Sequence, residues 1–105
     1  MTKVKIDQGI CGFVTDVEAI GSDEEVKIKV DSGCGHVVNM FASLGDTFDG
    51  YELCFHKPGS GPLYEYASEH FPAHCGCLAI AGVIKAVEAE CKLALPKGAS
   101  IIFVG

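Results

Sequence analysis

Three short segments of this 105-residue chain carry soft-metal ligands: Cys11-Gly12, Gly33-Cys34-Gly35-His36 and His74-Cys75-Gly76-Cys77. Thiolate and imidazole are the ligands of zinc and of iron-sulfur clusters. All three segments fall where loops meet regular elements, whereas a cysteine used only for packing belongs in an apolar stripe. Cys91 lies on such a stripe and Cys54 sits inside Leu53-Cys54-Phe55, so both read as core. The plainer reading of Cys11, Cys34, His74 and Cys75, as small polar groups packed beside turns, stands next to the ligand reading. Cys77 reads either as a spare ligand or as an exposed thiol, because two residues on a regular helix point about 200° apart. His36, beside Cys34, is a reserve ligand; His56 and His70 read as solvent-facing or hydrogen-bonded.

The elements that must position these groups follow from periodicity. Val4 and Ile6 alternate with Lys3, Lys5 and Asp7, and Val26-Lys27-Ile28-Lys29-Val30-Asp31 alternates strictly, which predicts half-buried strands. Between them Phe13, Thr15, Val17 and Ala19 share one face of a strand, and Gly21-Ser22-Asp23-Glu24 reverses the chain. These three form an antiparallel meander. The pattern then turns helical: Val37, Met40, Phe41 and Leu44 at helical spacing, stopped by Gly45; a short helix over 63–70, closed by Pro72; and a long helix with the stripe Ile80, Val83, Ile84, Val87, Cys91, ended by Pro96 and Gly98. Glu88 and Lys92 make an i,i+4 pair on its outer side, and Ser100–Val104 reads as a short C-terminal strand, buried or at an edge. Strands first and helices after predict a single α+β domain over residues 1–105, with helices packed on one face of a mainly antiparallel three-stranded meander. In that arrangement Cys11 and Cys34 project from one end of the sheet. If the long helix starts toward that end, its free N–H groups favour thiolate at Cys75 and Cys77, and His74 adds an imidazole.

Eight Lys+Arg against fourteen Asp+Glu, a net charge of −6, leave no basic patch for phosphates, so nucleic acid is not an expected partner. No apolar run is long and uncharged enough to span a bilayer, since the stretch 78–95 contains Lys85, Glu88, Glu90 and Lys92; no membrane partner is expected. Met1-Thr2-Lys3-Val4 leads straight into alternating residues with no export-type apolar segment. The expected location is the cytoplasm, where six cysteines are free, buried or metal-bound instead of forming disulfides. The carboxylates at Glu24/Glu25, Asp46/Asp49 and Glu88/Glu90 read as solvated surface.

Over roughly residues 9–93 the order Cys11-Gly12, Gly33-Cys34-Gly35, His74-Cys75, with Gly82-Val83-Ile84-Lys85-Ala86 beyond, resembles the IscU-type iron-sulfur cluster scaffold family, which shares its fold with NifU N-terminal domains and the SufE sulfur acceptors. The resemblance implies a SufE/NifU-like fold. It also implies Cys11, Cys34, His74 and Cys75 as ligands of a [2Fe-2S] cluster or zinc, Cys34 or Cys75 as persulfide acceptor, and a cysteine desulfurase and an acceptor apoprotein as partners. The chain departs from the pattern in four ways. Phe13 stands where the family's scaffolds carry an Asp, the proline-rich stretch before His-Cys is replaced by 67–73, the N-terminal helix is absent, and a C-terminal strand is added. The leading expectation is a metal or cluster carrier. The alternatives are a structural zinc domain that presents a surface to another protein, and a metal-free persulfide carrier. A thiol-nucleophile enzyme, with Cys34 or Cys75 attacking and His36 or His74 as base, ranks third behind a carrier and a structural domain, because adjacent His and Cys side chains do not face each other in regular structure.

Overall fold

Alternation of apolar and charged residues through the first third of the chain builds the sheet, and two of the four helices lie directly on its apolar face. The computed structural model describes residues 1–105. In chain order the elements are β1 (Thr2–Asp7), β2 (Val14–Gly21), β3 (Val26–Ser32), α1 (Gly35–Leu44), β4 (Thr47–Phe48), α2 (Gly50–Cys54), α3 (Pro62–His70) and α4 (Leu78–Glu90). The sheet runs β1-β2-β3-β4, antiparallel throughout. It is therefore an α+β fold with four strands instead of the expected three. The extra strand is two residues long and pairs only with Val26 and Lys27, too short to leave an alternating pattern in the sequence.

The period-two register holds. Val17, Ala19, Val26 and Ile28 are buried inside, and Lys3, Lys5, Asp16, Lys27, Lys29 and Asp31 are exposed on the opposite face. α4 lies across β1 and β2 and α1 covers β3. Their inner stripes, Met40 from α1 and Ile80, Val83, Ala86 and Val87 from α4, complete a core with Ile6, Leu53 and Leu63. Gly82 is part of this closure, since a Cβ there would overlap the Ile6 side chain. The glycine lets α4 settle onto β1.

Several expectations are corrected. α2 was not foreseen: Asp49 starts it by accepting hydrogen bonds from the N–H groups of Tyr51 and Glu52. α4 ends at Glu90, well before Pro96, because Lys92 takes a left-handed φ of 60° and Leu93 N–H turns back to Glu88 O. Lys92 then lies beyond the helix, so no helical turn carries the expected pair with Glu88. The C-terminal strand does not form: 95–105 is irregular and exposed, because no strand of the same chain lies beside it and an extended segment needs an edge to pair with. No helix is long and apolar enough to cross a membrane.

Candidate functional site

At one end of the sheet the inward-facing positions of three strands change from apolar to polar. Gln8 continues the side of Val4 and Ile6, Thr15 precedes Val17 and Ala19, and Ser32 follows Ile28 and Val30; the register sets Thr15 between Ile6 and Ser32. Gln8 and Thr15 are buried. A buried amide and hydroxyl must find partners, and they find each other: Thr15 Oγ1 donates to Gln8 Oε1 and shares a 2.8 Å hydrogen bond with Ser32 Oγ. The amide oxygen of Gln8 only accepts, so the Thr15 proton is spent on it. Ser32 must then donate to Thr15, and its free lone pair accepts the Cys34 backbone N–H at 3.1 Å. At the far end Gln8 Nε2 donates to Cys77 Sγ at 3.9 Å. Every proton in this chain points the same way, from Cys34 through Ser32, Thr15 and Gln8 to Cys77, the arrangement in which successive hydrogen bonds polarise one another.

Cys11 meets the same glutamine from the backbone side. Gly9 and Gly12, at φ 87° and 79°, close the turn after β1 with a 2.9 Å bond from Gly12 N–H to Gly9 O. That turn leaves Ile10 and Cys11 exposed at its tip, and Cys11 Sγ donates to Gln8 O at 3.9 Å. Cys34 and Cys77 are the N-cap residues of α1 and α4. Neither makes a side-chain cap bond, and neither helix carries an acidic residue in its first turn. Two helix N-termini, with their free N–H groups, thus begin at cysteines joined by one hydrogen-bonded chain.

Phe13, still 41% exposed, lays its ring against Gly33 in the turn before Cys34. A Cβ built on Gly33 would lie 3.1 Å from its ring, so Gly33 is the residue that admits the aromatic there. His36 is exposed and its ring centroid is 5.7 Å from that of Phe71, the residue that closes α3 and opens the loop to α4. His74 and Cys75 lie exposed in that loop. Of the expected residues, Cys11 and Cys34 share the sheet end as anticipated. The α4 cysteine joined to them is Cys77, while Cys75 lies two residues before the cap. No three His, Cys, Asp or Glu side chains stand together as a ready-made metal cage.

The remaining cysteines live differently. Burial, with the nearby Glu88 and Cys91 adding to it, pushes the Cys54 thiol up to about 12. Burial also raises Cys91, helped by Asp23, Glu90 and Asp49. Both stay protonated, as their core reading implies.

Sequence reasoning found the cysteines but missed Gln8, Thr15 and Ser32. Their signal was present as parity, since each is a polar residue at the inward position where its strand's apolar alternation runs out.

Fold and site together define a small α+β protein with a thiol-rich pole built on a buried polar chain. It belongs to a protein family described as a family of unknown function (DUF6951), whose model matches residues 2–103. No curated protein and no solved structure matches the chain.

Proposed function

We propose that this protein is a thiol-based carrier that holds a metal ion or a [2Fe-2S] unit as cargo at the pole formed by Cys11, Cys34 and Cys77, with Cys75, His74 and His36 as further ligands. One observation carries the reading. A single buried glutamine contacts the sulfurs of Cys11 and Cys77, and its hydrogen-bond chain ends at the cap residue Cys34. Packing alone does not call for a polar chain that touches two cysteine sulfurs and the backbone N–H of a third cysteine; a site whose sulfurs must be oriented does.

The donor set fits the cargo chemically. Sulfur and imidazole suit zinc, iron and their clusters, and two uncapped helix starts favour the negative charge that thiolates bring. The exposed His74-Cys75-Gly76 stretch supplies ligands that reach inward when cargo arrives. The SufE/NifU-like fold of the IscU-type scaffolds, a cysteine desulfurase as sulfur source and an acceptor apoprotein belong to the same reading. Cys77 then takes a role that the scaffold pattern gives to no residue.

A second reading, a metal-free persulfide carrier, is favoured by the absence of any three gathered ligands and by the exposure of Cys75. The thiolate of Cys75 or Cys34 would take the terminal sulfur of a donor persulfide and release the donor thiolate.

Anaerobic purification followed by absorbance and metal analysis tests both. Iron with sulfide, or zinc, should be present in the wild type and lost from Cys34→Ala and Cys77→Ala. Unchanged metal content in both variants sinks the ligand assignment. A metal-free protein that gains the mass of one sulfur atom at Cys75 after exposure to a persulfide donor establishes the second reading instead.

A further inference from the structure

Two features of this chain lack partners. The first is the segment Ser100–Val104, whose Ile101, Ile102, Phe103 and Val104 are 70, 76, 93 and 95% exposed. Four consecutive strand-forming apolar residues left in water mark a surface that another element covers. The segment is integral to the family's domain, because the family match runs through Phe103.

The second is the outer edge of β3. β4 pairs only with Val26 and Lys27, and the chain leading into it gives Asp46 O to Ile28 N–H. By the alternation of an antiparallel ladder, the N–H and C=O groups of Val30 and Ser32 point the same way, past the end of β4 into open space. Beside them, between β3 and α1, lies a groove of about 370 Å³ with Ile28, Val30, Val38 and Phe41 on its walls.

We propose that Ser100–Val104 of one copy docks on the open β3 edge of a second copy. There it continues the line of β4 as an added antiparallel strand and seats alternate apolar side chains in the groove; the reciprocal contact makes a two-fold dimer. Charge supports this occupant. Residues 1–90 hold six basic and fourteen acidic side chains, whereas residues 91–105 hold Lys92 and Lys97 and no acid, so the tail is the positive part of a negative molecule. A strand antiparallel to β3 enters from the Ser32 end. That direction brings Lys97 of the second copy toward Asp31, which faces Asp16 across the ladder as an unfavourable like-charge pair.

Direction also argues for a second copy over the tail's own body. α4 ends where Glu90 accepts from Gly21 N–H, and Gly21 pairs with Val26, at the opposite end of β3. A tail docking on its own β3 would have to travel the length of the sheet and turn back.

The test is the mass of the reduced full-length chain by light scattering across a dilution series. Wild type should be a dimer that dissociates on dilution, and Phe103→Asp and Val38→Asp should each be monomers with unchanged circular dichroism. Ala42→Glu serves as the groove variant if Val38→Asp misfolds. An equal mixture of tail and groove variants retains one intact contact, and should recover a dimer at least about tenfold weaker than wild type. Four results would overturn the proposal: a monomeric wild type at every concentration, a tail variant that still dimerises, a folded groove variant that still dimerises, or a mixture that stays monomeric.

Discussion

The two ends of α4 hold cysteines in opposite circumstances. Its thirteen residues separate Cys77 from Cys91 by about 20 Å. At the start, Cys77 receives a hydrogen bond from a buried amide, neighbours a turn that exposes Cys11, and faces no carboxylate of its own first turn. At the finish, Cys91 and Cys54 are packed among apolar groups, with Asp23, Asp49, Glu88 and Glu90 close by, and are held protonated. Residue type is the same at both ends. What differs is the setting: at the start the sulfur is the end point of a hydrogen-bonded polar chain, and at the finish it is packed against the core beside carboxylates.

The largest expected effect sets the ends directly against each other. Cys77→Ala should remove most bound metal, and Cys91→Ala should leave it unchanged by metal analysis; equal loss from both would erase the distinction. Next, Gln8→Leu removes the Gln8 acceptor of the buried Thr15 hydroxyl and leaves it only Ser32 as partner. Denaturant unfolding should show a loss of about 0.5–1.5 kcal/mol, together with weaker metal retention, and an unaltered midpoint would mean the polar chain does not hold the pole.

Alkali should attack the other end first. A thiol raised to about 12 in the folded protein titrates near 8.5 when unfolded. The folded state then binds the extra proton, so the contribution of Cys54 falls as pH rises from about 9 toward 12. Cys54→Ala should flatten that alkaline loss in pH-dependent unfolding and leave the metal in place; a profile identical to wild type would break this half of the comparison.

The smallest effect concerns the clasp beside Cys91. Burial alone raises the Glu90 carboxyl, but hydrogen bonds from Thr2 Oγ1 and Gly21 N–H, with the nearby Met1 ammonium, outweigh it and hold the group below its ordinary range. A depressed carboxyl adds stability above its unfolded pKa, and that stability is lost as pH falls through the folded one. Glu90→Gln should therefore lower stability slightly at neutral pH and remove part of the acid dependence. An unchanged acid limb would show that the clasp contributes nothing.

Much of this was legible in the residues. The alternation of Val4 and Ile6 and of Val26, Ile28 and Val30, the helical stripe from Ile80 to Val87, and the reversal at Gly21 each follow from burying one face of a regular element. Cys54 and Cys91 were readable as core for the same reason. The start of α2 at Asp49 and the two-residue β4 were not, because elements that short have no period to detect and depend on the partner that receives them.

The amino-acid sequence by itself determined the meander, the helices and the six thiols available for chemistry, since these rest on local periodicity and residue type. Only the tertiary structure decided that Cys77 and not Cys75 joins Cys11 and Cys34, that Gln8, Thr15 and Ser32 connect them, and that Ser100–Val104 finds no strand of its own chain to pair with. Those outcomes turn on which groups from distant segments come within hydrogen-bonding reach, a distance that no local pattern encodes.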